Sequence, residues 1–269
     1  MQISGSTVLL TGASGGIGQA IARALHARGA KLVLTGRRAE VLEPLAAELG
    51  GRALAVDLSD AAAVEQLAAA LSPEGDVGEV DILIANAALP ASGRLDSYTV
   101  EQIDRALDVN LRAPIVLAHA LAPGMVERGS GHLVFISSLA GKAASPRSSL
   151  YNASKFGLRG FAAALRADLR DSGVGVSTVF PGFIRDAGMF ADSGASLPPG
   201  VGTRSPEDVA RAVIAAIERN RGEVDVAPLA LRAGIIFAGI APELAGAVQR
   251  RLGAEEIGAE LASGQREKR

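Results

Sequence analysis

The sequence predicts an α/β protein built on a doubly wound, seven-stranded parallel sheet with helices on both faces. Three observations predict it. Short β-rich apolar runs alternate with longer helical patterns, the signature of βαβ units. A glycine-rich turn joins the first such run to the first helix. Apolar residues make up 48% of the 269, enough to bury both faces of a parallel sheet. Aromatics are only 3% and tryptophan is absent, so Ala, Leu, Val and Ile carry the packing.

The strands are expected at residues 7–10, 32–35, 53–56, 82–85, 133–137, 176–180 and 224–227. Helical patterns lie between them, near 17–28, 39–49, 60–71, 99–127, 150–171 and 206–219. No linker rich in Pro, Gly or Ser divides the chain, so residues 1–269 read as a single domain. Two segments break the rhythm. Residues 183–204 mix Gly, Pro and Ser with Phe183, Ile184, Met189, Phe190 and Leu197, which reads as a substrate lid. Residues 229–263 form an apolar C-terminal helical segment carrying Leu229, Ile236, Phe237, Ile240, Leu244 and Val248. Arg232, Pro242 and Glu243 interrupt it, so no integral membrane span is expected. It reads as a pocket wall, a contact between copies or a membrane-facing surface. The charged tail beyond Gly253 reads as a fraying terminus.

A net charge of −2 gives no nucleic-acid footprint. The absence of cysteine excludes disulfides and thiolate chemistry, and His26, His119 and His132 are too scattered to suggest a metal site. The N-terminal residues lack a signal-peptide pattern, so a cytoplasmic location is expected.

The first strand runs into Thr11-Gly12-Ala13-Ser14-Gly15-Gly16-Ile17-Gly18. Glycines there let backbone approach a pyrophosphate, and the helix start offers N–H groups and a positive dipole end. Gly12, Ser14, Gly16, Ile17 and Gly18 are the candidate contacts of a Rossmann-type dinucleotide site, and no P-loop lysine follows them. An NAD site closes the second strand with an acid, whereas a nearby arginine accommodates a 2′-phosphate. Here the strand ends in Gly36-Arg37-Arg38, so NADP(H) is expected over NAD(H).

Tyr151 and Lys155, at i and i+4, share one helix face, where an ammonium would lower the phenol pKa. Ser138 closes the fifth strand, thirteen residues before Tyr151, and Asn110 lies inside the long fourth helix, where an asparagine is unfavourable without a task. The glycine turn, Asn110, Ser138 and Tyr151-x-x-x-Lys155, in this order, resemble the short-chain dehydrogenase/reductase family over about residues 4–228. The resemblance implies an oxidoreductase that interconverts a carbonyl and an alcohol, with Tyr151 as acid and base. It implies that Lys155 binds the nicotinamide ribose, Ser138 orients the substrate oxygen, and Asn110 holds a relay water behind Lys155. Asp57 and Leu58 would lie by the adenine, Asn86 on the adenosine side, and Pro181, Gly182 and Ile184 by the nicotinamide. Homodimers or homotetramers through the 99–127 and 150–171 helices are expected on the same ground.

Two positions depart from the pattern. Ala88 stands where the family has glycine, and Asp186 where it has a threonine bonding the carboxamide. They leave a rival reading, a dinucleotide-binding regulator or scaffold without turnover. The apolar lid and C-terminal segment suggest an apolar small-molecule substrate.

Overall fold

The five inner strands are apolar runs that helices cover on both sides, and two more exposed strands close the edges. The computed structural model describes residues 1–72, 75–198 and 201–266. Its strands are β1 (Thr7–Thr11), β2 (Lys31–Gly36), β3 (Arg52–Ala55), β4 (Ile82–Ala85), β5 (Gly131–Ile136), β6 (Val174–Pro181) and β7 (Glu223–Val226). They form one parallel sheet in the order β3-β2-β1-β4-β5-β6-β7. The direction of winding reverses between β1 and β4, which opens a crevice at their carboxyl ends.

Alternate side chains of each strand serve opposite faces. Val8 and Leu10 join a core with α1 (Gly16–His26), α2 (Ala39–Leu49) and α7 (Pro206–Glu218). Leu9, between them, packs on the other face with α3 (Ala61–Ala70), α5 (Ala113–Glu127) and α6 (Ser149–Asp168). Polar caps set where the helices begin. Asp60 caps α3, Thr99 and Gln102 form a capping box on α4 (Val100–Leu107), and Ser205 with Asp208 does the same for α7. A third, small cluster joins Ala91, Ala106 and Leu150 with both tyrosines, Tyr98 and Tyr151.

The expected helix over 99–127 is continuous but not uniform. Between α4 and α5 the chain makes one π-helical turn, Asp108–Arg112, with Asn110 at its centre. Such turns re-aim side chains within a helix and cluster at functional sites.

The C-terminal segment forms three helices, α8 (Leu229–Ile240), α9 (Pro242–Arg251) and α10 (Ala254–Gly264). The frayed tail is corrected here: α10 is ordered and is followed by Gln265, only 3% exposed. Gln265 donates from Nε2 to the Met189 carbonyl at 3.1 Å, and Glu260 accepts from the Ser196 N–H at 2.9 Å. The tail therefore backs the lid. Pro199 and Gly200 of the lid, and the last three residues of the tail, lie outside the described residues.

His132 shows how tightly the sheet is packed. Its ring meets Ser177 Oγ at 2.8 Å, and a Cβ on Gly175 would fall 2.3 Å from its Nδ1. Burial lowers its pKa from 6.5 to about 3, helped by the chain's amino terminus and Arg166. The unfolded chain takes up this proton below pH 6.5, while the folded protein resists it until about pH 3. Stability is therefore lost as pH falls through that window, at up to about 1.4 kcal/mol per pH unit. His132→Gln is expected to flatten the loss, as read by urea unfolding at pH 6.5 and pH 4.

Candidate active site

The sites expected from sequence converge on one cleft of about 1130 Å³ at the carboxyl ends of the strands. Gly12, Ser14, Gly16, Ile17 and Gly18 line one end of it. Gly12 has φ +67°, and a Cβ there would fall 2.7 Å from Ala87 Cα, so only glycine fits. A Cβ on Gly18 would meet the Gly12 carbonyl at 2.3 Å, which explains how closely α1 sits on the turn. No side chain caps α1 and no acid occupies its first turn, so its N–H groups are left to the cleft.

Asn86, at the end of β4, braces the turn from the neighbouring strand. Its Nδ2 donates to the carbonyls of Thr11 at 3.0 Å and Gly12 at 3.2 Å. Ala88 lines the cleft without displacing this arrangement.

At the end of β2, Arg38 donates to the Ser14 carbonyl at 2.6 Å, while Arg37 faces the cleft and is exposed. Asp57 and Leu58 lie across from it. Asp57 folds into an Asx turn on Ser59, accepting from its N–H at 3.0 Å and hydroxyl at 2.8 Å. Burial works to raise its pKa, but Ser59, Arg37 and Arg105 outweigh that and hold it low.

The catalytic candidates stand at the centre. Lys155 is 1% exposed, and its Nζ donates to the Ile136 carbonyl at 3.1 Å and lies 5.7 Å from the Tyr151 ring centre. Ser138 Oγ donates to the Pro181 carbonyl at 3.4 Å, tying the ends of β5 and β6 together, and accepts from the Ala140 N–H. Pro181, Gly182 and Ile184 continue the wall, with Ile184 buried and bridged to Arg204.

Three positions bear on the expected roles. Asn110 does not line the cleft: its amide accepts from Leu89 N–H at 2.7 Å and donates to Leu89 O at 2.9 Å. Both ends of that side chain bond the loop after β4, so it braces the cleft wall. Asp186 also lies outside the lining; φ +69° turns it outward, and its carboxylate pairs with Arg185 at 3.2 Å. Finally, the Tyr151 pKa lies above the ordinary phenol value in the protein alone. Burial of the phenol raises it, with Ser138 acting in the opposite sense.

The family described as short chain dehydrogenase matches residues 6–197. The chain belongs to that family. Among its relatives, a ketoacyl reductase of Nostoc, HetN, is 40% identical over 228 residues, 83% of this chain and 79% of the relative. A short-chain dehydrogenase from Sphingobium yanoikuyae, solved in complex with NADPH, superposes with a TM-score of 0.76 at 31% identity, covering 89% of this chain and 95% of that one. A metagenomic short-chain oxidoreductase in complex with NADP gives 0.68 at 34% identity, covering 85% and 98%.

For a short-chain dehydrogenase the cleft suits a nicotinamide dinucleotide. The uncapped start of α1 and the glycine turn would hold a pyrophosphate through their N–H groups, and Arg37 and Asp57 would hold the adenosine half. Such a cofactor, when bound, gives or takes the hydride. Tyr151, Ser138 and Lys155 line the same cleft.

Sequence reading missed two contributors. Asn152 sits one residue beyond Tyr151, and its Nδ2 donates to the carbonyls of Ala140 at 2.6 Å and Ala143 at 3.1 Å. It pins the loop carrying Ser138 to the helix carrying Tyr151. The signal was an asparagine in a first helical turn, where it competes with the helix unless it has outside partners. The second is a stripe on α10 and its C-cap, with Ile257, Leu261 and Gln265 all lining the cleft. Their spacing of four was visible but overshadowed by surrounding charge.

Lys155 holds its charge at a cost. Burial lowers its pKa from 10.5 to about 8, so the folded state penalises the cation below pH 8. Lys155→Met is expected to end turnover yet stabilise the cofactor-free protein at pH 7 by about 1–2 kcal/mol. That gain should shrink as pH rises from 8 towards 10.5, where the wild-type amine sheds its proton, and urea unfolding across this range reads both effects.

Proposed function

We propose that this short-chain dehydrogenase is an NADPH-dependent reductase of apolar ketones, with Tyr151 as the proton donor. The observation that carries the reading is Tyr151, Ser138 and Lys155 sharing one cleft with an exposed, cleft-facing Arg37. Burial keeps the Tyr151 phenol protonated at neutral pH, which suits an acid that delivers a proton. In reduction, Ser138 Oγ and Tyr151 Oη hold the carbonyl oxygen, the carbonyl carbon receives a hydride, and the Oη proton passes to the oxygen. The Lys155 ammonium offsets the negative charge left on the phenolate.

NADPH over NADH rests on Arg37, since β2 ends without a carboxylate and a guanidinium pairs with a phosphate bidentately. The apolar preference rests on Phe183, Met189, Phe190, Leu197, Leu231 and Ile235, which line the cleft. The Nostoc relative's name makes ketoacyl compounds the first substrates to screen, alongside alicyclic ketones. A scaffold without turnover keeps only Ala88 in its favour, because Asp186 lies outside the cleft lining and pairs with Arg185.

Calorimetric titration with NADPH and NADH tests the cofactor assignment. Arg37→Ala is expected to weaken NADPH about tenfold or more and leave NADH nearly unchanged; equal weakening removes the 2′-phosphate role. With any ketone turned over, Tyr151→Phe is expected to lower kcat by about 100-fold or more while NADPH binding stays within about twofold. Retained turnover would remove Tyr151 as the acid.

A further inference from the structure

We propose that α8 and α9 seat the protein on an anionic lipid bilayer, with the mouth of the cleft facing the lipid. None of the twelve residues of α8 is buried, although Arg232 is the only charged one. Leu229, Ile236 and Ile240 are 76%, 66% and 79% exposed, and Leu244 and Leu252 continue the face on α9 and just beyond. Cβ atoms added at Gly234 or Gly239 would meet nothing within 4 Å. A helix apolar around its circumference requires an apolar surrounding.

Two features decide what that surrounding is. The first is charge. Residues 229–252 hold Arg232, Arg250 and Arg251 against Glu243, and with Arg232 paired to Asp225 at 3.8 Å the cations facing outward are Arg250 and Arg251. Arg250 and Arg251 are exposed and have no carboxylate within ion-pair distance among the described residues. Acids resume at Glu255, but that side chain lies in a separate groove with Arg94 and Arg147. Two copies meeting through this face would set cations against cations, whereas anionic headgroups complement them. The helices expected to join copies, α4–α5 and α6, lie elsewhere in the fold.

The second feature is continuity with the site. Leu231 and Ile235, the less exposed stripe of α8, line the cleft, and so does Leu252. The helix is apolar towards the cleft on one side and towards solvent on the other. At 1.5 Å per residue α8 is about 18 Å long, short of the about 30 Å hydrocarbon core, so it lies in the interface and does not cross it. An apolar ketone dissolved in the bilayer then reaches the cleft without passing through water. The proposal concerns where the enzyme works and stands apart from its cofactor preference.

The test is co-sedimentation of the full chain with phosphatidylcholine vesicles, with and without a quarter of phosphatidylglycerol. Wild type is expected to sediment with the anionic vesicles and to be released by high salt. The triple variant Ile236→Asp, Phe237→Asp and Ile240→Asp should bind them about tenfold or more weakly, with NADPH affinity and thermal unfolding unchanged as proof of folding. Arg250→Gln with Arg251→Gln should abolish the preference for anionic over neutral vesicles. Wild type remaining in the supernatant at low salt overturns the proposal. So does light scattering in which the aspartate substitutions split an oligomer while vesicle binding is absent, because a second copy then covers the face.

Discussion

The gap between the carboxyl ends of β1 and β4 is the constraint on which the cleft depends. The sheet winds outward in both directions from this pair, so no crossover covers the space above it. The gap must stay narrow enough to hold a ligand, and Asn86 sees to that. From the β4 side it clamps the carbonyls of Thr11 and Gly12, and the lack of a side chain on Gly12 lets the two loops touch. Asn110 repeats the device one step further out, clamping Leu89 from within its π-turn. Two asparagines thus shape the cleft by using up backbone donors and acceptors that would otherwise be satisfied by water.

Around that frame the site works as an arrangement of burdens. Lys155 is held in a nearly dry position, with the Ile136 carbonyl as its hydrogen-bond partner and the Tyr151 ring nearby. Tyr151 is pushed by the same dryness towards its neutral form. In the protein alone both groups are held further from ionisation than they would be in water. Such tension is typical of residues kept for chemistry at the expense of stability.

Most of the sheet was legible because its strands are apolar on both faces, which leaves little room for another assignment. The apolar run of β6 was recognised from 176–180, although the strand spans Val174–Pro181, because Gly175 hides its edge. The π-turn was not legible, since Asp108–Arg112 fits an α pattern and differs only in its hydrogen bonds. Motif position located Asp186 but not its direction, which a left-handed backbone decides. The inward stripe at the end of the chain was hidden by composition: the acids of α10 suggested solvent, while Ile257, Leu261 and Gln265 line the cleft.

The small cluster beside the cleft has a spectroscopic consequence. The chain has no tryptophan and only two tyrosines, and both pack against Ala91, Ala106 and Leu150. Phenylalanine absorbs and emits weakly, so nearly all intrinsic ultraviolet fluorescence of this protein originates from Tyr98 and Tyr151 in that one cluster. The emission band of nicotinamide lies well to the red of tyrosine. Ligand arrival, lid movement and ionisation of Tyr151 can therefore be followed optically without introducing a label.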